Sequence, residues 1–253
     1  MDYKTKAVVL VSLSFNLIFI GLFSLLIIRR GGLSYINRQI DSLIRDRGNW
    51  GRMLQENTTM SPYHEMRELQ FAVLPKSNRD IIFVGDSLTD EGEWAEWLGN
   101  VYVKNRGISG DTTNGVINRI GKIVERKPQQ IFLMVGTNDI WNQDKSVSDV
   151  VANYRIILEI LKRQTPTTQV FVQSLLPVNN QEYHVRMDNR DIMAVNRQLV
   201  ELSKEFGYIY IDLYGKLVNG QNQLDPQYTL DGVHLNGAGY LTWKSVIESY
   251  INP

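Results

Sequence analysis

The residues of this chain whose types and order could do chemistry are Ser87, Asp231 and His234, with Gly110 and Asn138 between them. Ser87 follows the apolar run Ile81-Ile82-Phe83-Val84, which Gly85 breaks. A hydroxyl there is delivered to the C-terminal end of a buried strand, the edge at which open α/β sheets bind ligands. His234 can take the Ser87 proton, and Asp231, three residues earlier, can hold the ring in the right tautomer. The backbone N–H groups of Ser87 and Gly110, with the side-chain amide of Asn138, can donate to an oxyanion. Glycine lets the backbone approach a substrate without a Cβ in the way, and an amide donates at neutral pH without pKa tuning. The chemistry this set would perform is nucleophilic acyl transfer. Each member also has a plainer role. Asp86-Ser87 can cap a helix, Gly110 and Asn138 can serve turns, Asp231 can cap the last helix, and His234 can lie on the surface. Their joint order after successive strands favours the chemistry.

The elements that must position these residues are legible as alternation. Apolar segments at 81–84, 101–104, 131–135, 170–173 and 208–211 predict strands, and the patterns at 113–126, 147–161, 192–205 and 237–250 predict helices. Five strands separated by helices predict an α/β domain with a parallel sheet covered on both faces. The first three strands end in polar turns: Gly85-Asp86-Ser87-Leu88, then Asn105 to Thr112, then Gly136-Thr137-Asn138-Asp139. Far downstream comes Asp231-Gly232-Val233-His234. A nucleophile elbow of the form Gly-x-Ser-x-Gly would need glycine where Thr89 stands.

Composition narrows the function classes. The 253 residues carry no formal net charge, so the electrostatic footprint of a nucleic-acid binder is missing. Without cysteine there is no thiol nucleophile or thiolate metal site, and three scattered histidines offer no metal-ligand spacing. No cofactor is expected. Residues 7–28 are uncharged between Lys4, Lys6 and Arg29, Arg30, long enough for a single-pass anchor over residues 1–30. Residues 31–77 read as a helical spacer, with Ile36, Ile40, Leu43 and Ile44 on one stripe and a short helix opened by Ser61-Pro62. The catalytic domain is expected over residues 78–253.

Orientation is contested. Arg29, Arg30, Arg38, Arg45 and Arg47 favour a cytoplasmic C-terminal domain, whereas a short tail before a long domain is the layout of an exported one. The expectation adopted is a domain outside the cytoplasm at the cell membrane, where tethering raises effective substrate concentration.

The four blocks together resemble the GDSL, or SGNH, serine hydrolases. Gly85-Asp86-Ser87-Leu88 matches the first block, Ser109-Gly110-Asp111 the second, Gly136-Thr137-Asn138-Asp139 the third and Asp231-Gly232-Val233-His234 the last. The resemblance spans about residues 78–252 and implies Ser87, Gly110, Asn138 and His234 as signature residues, with Asp231 as the triad acid. It implies a three-layer α/β/α fold with a flavodoxin-like parallel sheet. The spelling of the second and third blocks looks most like the branch holding platelet-activating-factor acetylhydrolase-type and carbohydrate acetyl-esterase proteins. Thr137 stands where many members carry glycine, which leaves the oxyanion donor in place.

The expected activity is therefore an acyl esterase acting on a carbohydrate or lipid ester. O-acyltransferase, lysophospholipase, thioesterase and non-catalytic binding module are the alternatives. Trp94, Trp97, Trp141, Tyr183 and Tyr240 flank the site in sequence, and Trp141 is the candidate substrate wall. The polar segment 177–190 is a candidate lid, with His184 in it a candidate substrate contact.

Overall fold

Strand β1 (Ile81–Gly85) is buried along its whole length, as four consecutive apolar side chains require of a strand covered on both faces. The computed structural model describes residues 61–143 and 145–251. In it β2 (Val103–Gly107), β3 (Gln130–Met134), β4 (Gln169–Gln173) and β5 (Ile209–Ile211) join β1 in one five-stranded sheet, ordered β2-β1-β3-β4-β5. All four pairings are parallel. This is the flavodoxin-like order, with a switch point where the chain leaves β1 to one side and β3 to the other.

The helices in chain order are α1 (Pro62–Val73), α2 (Ser87–Asp90), α3 (Trp94–Trp97), α4 (Thr113–Val124), α5 (Thr137–Gln143), α6 (Val147–Gln164), α7 (Asn189–Phe206), α8 (Tyr214–Leu217) and α9 (Gly237–Ile247). Helices α4, α6 and α7 pack side by side. The sheet register sets Phe83, Phe132 and Phe171 opposite one another on neighbouring strands, so their rings stack at 4.8 and 4.4 Å between centroids. Trp94 of α3 stacks on Phe83, and Trp243 of α9 meets Trp94 edge-on at 4.7 Å. Period-two alternation turns Ile82, Val84, Ile131 and Leu133 to the opposite face of the sheet. The molecule is thus an α/β fold whose core lies on both sides of a parallel sheet.

Three expectations change. Strand β2 runs Val103–Gly107 instead of 101–104, carrying polar Asn105 and Arg106 inside the strand. Pairing decides this. Every residue of β2 has a partner in β1, and the Asn105 side chain holds the carbonyls of Thr89, Asp90 and Gly92 at 2.9, 2.9 and 3.0 Å. Second, the compact unit that carries the sheet begins at residue 60, so α1 belongs to it and not to a spacer ending at residue 77. Ser61 does cap α1, accepting from the His64 N–H at 3.2 Å, with Pro62 in the first turn.

The third concerns 177–190. Val178, Asn179, Val185, Met187 and Asn189 are buried, and the Asn179 N–H donates to the Gly232 carbonyl at 2.8 Å. The segment supports the Asp231–His234 loop from beneath instead of roofing a pocket, and His184 is exposed. Among the described residues no helix is long and apolar enough to cross a membrane. The anchor expected over residues 1–30, the stripe at Ile36 to Ile44, and with them the membrane location and orientation, lie outside the described residues.

Candidate active site

Each candidate side chain stands where a strand or turn ends. Asp86 leaves β1 and caps α2, its Oδ1 accepting the Leu88 N–H at 3.1 Å. The capping role therefore falls to Asp86, and Ser87 is free for another partner. Its Oγ lies 3.0 Å from His234 Nε2. The His234 Nδ1 lies 2.7 Å from Asp231 Oδ2, while Asp231 Oδ1 accepts the Val233 and His234 N–H groups, each at 2.8 Å. Burial opposes ionisation of Asp231, but the His234 ring and those two N–H groups outweigh it and hold its carboxyl below the usual range. An ionised Asp231 makes Nδ1 the donor, which assigns Nε2 as acceptor for the Ser87 hydroxyl.

Gly110 follows β2 with φ +81°, a left-handed conformation that favours glycine. Asn138 lies in the first turn of α5, behind β3. Tyr154 of α6 pins the turn before it, its hydroxyl donating to the Val135 carbonyl at 2.7 Å and accepting the Val135 N–H at 3.0 Å. Asn138 Nδ2 spends one hydrogen on the Asp111 carbonyl at 3.0 Å and has a second to offer. Among the described residues nothing accepts from the Ser87 or Gly110 N–H.

These groups line one cleft of about 440 Å3, walled by Ser87, Gly110, Asn138, Trp141, Asn142 and His234. The structure thus brings Ser87, Gly110, Asn138, Trp141 and His234 together, with Asp231 behind the histidine. Trp94 and Tyr240 are instead core residues, and the Tyr240 hydroxyl donates to the Leu88 carbonyl at 2.9 Å beneath the nucleophile's helix. A smaller cavity of about 140 Å3, bordered by Phe71, Arg106 and Ile123, includes none of the candidate residues, so the chemistry places the site in the larger cleft. Among the described residues no group of three or more His, Asp or Glu side chains converges as a metal ion requires.

Several residues of the site's surroundings escaped the sequence reading. His64 approaches Asp111 with Nε2 3.3 Å from Oδ1, and Arg119 Nε donates to Asp111 Oδ2 at 2.7 Å. Asp139 accepts the Thr113 N–H at 2.8 Å and its hydroxyl at 2.6 Å, tying the third block to the second. Nothing local signals a bond across 47 positions, as between His64 and Asp111.

The family description GDSL-like lipase/acylhydrolase matches residues 83–241. The chain belongs to that family. The platelet-activating factor acetylhydrolase IB subunit alpha2 of Homo sapiens is 28% identical over 167 residues, 64% of this chain and 71% of that protein. A GDSL-like lipase of Bacteroides thetaiotaomicron shares the fold at TM-score 0.66 and 23% identity, covering 74% of this chain and 96% of that one. An acetylxylan esterase of Geobacillus stearothermophilus does so at TM-score 0.59 and 19% identity, covering 70% and 96%. Membership makes the GDSL chain a carboxylic ester hydrolase.

Asp86 of the family's first block is fully enclosed, and among the described residues its Oδ2 has no partner. Burial pushes its carboxyl up to about 7, against the relief given by the Leu88 N–H. The folded chain therefore keeps a proton that the unfolded chain releases near pH 4. Stability from this group falls as pH rises through the window from about 4 to 7 and is level above it, a change on the order of 4 kcal/mol. Asp86→Asn keeps an acceptor for Leu88 and is expected to flatten that slope, read as urea midpoints across pH 4 to 8. Parallel pH profiles for the two proteins would show that Asp86 titrates normally.

Proposed function

We propose that Ser87, His234 and Asp231 form a catalytic triad, and that the chain hydrolyses short acyl esters, above all acetyl esters on carbohydrate. The observation that carries this reading is the continuous chain from Ser87 Oγ through the His234 ring to Asp231, at 3.0 and 2.7 Å. Ser87 Oγ attacks the ester carbonyl as His234 Nε2 takes its proton, and Asp231 stabilises the imidazolium that results. The carbonyl oxygen becomes an oxyanion facing the Ser87 and Gly110 N–H groups and the second Asn138 hydrogen. Collapse expels the alcohol, which takes the proton from His234 and leaves an acyl-enzyme. Water, deprotonated by the same histidine, then releases the acid and restores Ser87.

The acyl preference draws on the relatives. The human and the Geobacillus relatives are named for the acetyl group, on platelet-activating factor in one and on xylan in the other. Trp141 at the cleft wall offers an aromatic face of the kind that sugar rings stack on.

The test offers the full chain acetylated xylo-oligosaccharides, other acetylated glycans and aryl esters of increasing acyl length, with a fluorophosphonate probe in parallel. Acetate release, a fall in rate with acyl length and labelling confined to Ser87 are the expected results. Acyl groups recovered on added glycan would make a sugar hydroxyl the acceptor in place of water. An unlabelled, inactive protein in its folded state would overturn the reading.

A further inference from the structure

A Cβ added at Gly110 would meet nothing within 4 Å, and the residue is exposed, although Ile108 at the base of the turn is buried and its carbonyl accepts the Asp111 N–H at 3.0 Å. The ties from the turn to the nucleophile's helix are polar. Ser109, just before it, donates both its N–H and its hydroxyl to Asp90 Oδ2, at 3.1 and 3.0 Å. Asp90 is the last residue of α2, the helix whose first residue is Ser87. One carboxylate thus joins the elements that supply the two backbone donors of the oxyanion site.

That carboxylate is itself clamped from outside the family's matched region. Tyr63 of α1 donates its hydroxyl to Asp90 Oδ2 at 2.6 Å, and Arg67 Nη2 donates to Oδ1 at 2.9 Å. The Asp90 side chain is only 5% exposed, so these charge-assisted bonds lie in a partly desolvated setting where geometry is enforced. The Tyr63 hydroxyl is held above its usual pKa, first by its hydrogen bond to Asp90, and so stays a donor. On the far side of the turn His64 and Arg119 grip Asp111.

We propose that Asp90 is a positioning residue for the esterase reaction, setting the Gly110 N–H against the Ser87 N–H, and that Tyr63 and Arg67 of α1 lock it in place. The inference rests on the oxyanion site proposed above. Asp90 touches no reacting atom. Its effect arises because donors must meet the oxygen in its tetrahedral position, where misplacement by about 1 Å costs roughly a hundredfold in rate.

The experiment measures kcat, KM and inhibition by an arylboronic acid, which gives a tetrahedral adduct at the serine. Asp90→Ala in the full chain is expected to lose roughly 10- to 100-fold in kcat with KM for a short aryl ester unchanged. Boronate affinity is expected to weaken by a comparable factor, because the lost interaction belongs to the transition state. Asp90→Asn, which keeps an acceptor for Ser109, is expected to recover most of the rate.

The double variant Tyr63→Phe with Arg67→Met is expected to shift kcat and boronate affinity in the same sense but less. It carries the test alone if Asp90→Ala shows no cooperative unfolding transition. Unchanged kcat, or a kcat loss without loss of boronate affinity, would overturn the assignment. Wild-type protein inert to a fluorophosphonate would instead sink the triad itself, so the two failures are distinguishable.

Discussion

Ser87→Ala is expected to lower turnover of a short-chain aryl ester by roughly four to six orders of magnitude while leaving thermal unfolding unchanged. The reason for the contrast lies in the local hydrogen bonds. Among the described residues Ser87 Oγ engages His234 alone, and the cap of α2 is made by Asp86, so removing the hydroxyl strips the nucleophile without loosening the helix. His234 is half exposed, and water can satisfy its freed nitrogen. Asp231→Asn is expected to cost about four orders, because an amide turns the imidazole to the wrong tautomer. Because the three residues act as a unit, Ser87→Ala with His234→Ala is expected to lose little beyond Ser87→Ala. Initial rates on purified proteins, with active-site titration to exclude wild-type contamination, read the result. Activity of Ser87→Ala within tenfold of wild type would remove Ser87 from the mechanism.

Gly85→Ala is expected to be among the most damaging single methyls for folding. A Cβ there would stand 2.2 Å from the Met134 carbonyl oxygen and 2.2 Å from Thr89 Oγ1, with Thr89 Cβ at 2.9 Å. Neither side can retreat. Gly85 is paired with Gly107 on one strand and Met134 on the other, and its carbonyl accepts from the Ile108 N–H at 3.0 Å and Arg119 Nη2 at 3.2 Å. Overpacking at a site that cannot relax costs about 3 kcal/mol or more, a large share of a total stability of roughly 5–15 kcal/mol. A fall in Tm of about 10 °C is the corresponding shift for a domain of this size. Gly121→Ala is the matched control. It lies inside α4 with nothing within 4 Å of its Cβ, and is expected to stabilise by up to about 1 kcal/mol. Equal melting temperatures for Gly85→Ala and wild type would show that the end of β1 can open.

The two outcomes separate chemistry from architecture at neighbouring positions. Ser87 carries a side chain the fold does not need, and Gly85 lacks one the fold could not hold. Helix α2 sits so close over the ends of β1 and β3 that the Thr89 side chain occupies the space a Cβ at Gly85 would take.

By itself the sequence determined what is local. Buried parallel strands read as unbroken apolar runs, so β1, β3, β4 and β5 were legible to within about two residues, and a helix cap such as Ser61 marks its own start. Ser87, Asp231 and His234 could be named because each belongs to a short polar turn. Asp231 and His234 are three residues apart, so their contact needs only one turn of chain.

Tertiary structure decided everything that depends on distance through space. Ser87 and His234 are 147 positions apart, and only the order β2-β1-β3 brings the turns after three strands to one edge. Asn105 and Arg106 joined β2 because pairing with β1 outweighs their polarity. The segment 177–190 went under the Asp231–His234 loop because its buried Val178, Val185 and Met187 outweigh the asparagines between them. The roles of Asp90 and His64, and the docking of α1 against Asp90 and Asp111, had no signal at all. A carboxylate accepting from Ser109, Tyr63 and Arg67 is a property of three elements meeting, and no single stretch of the chain encodes a meeting.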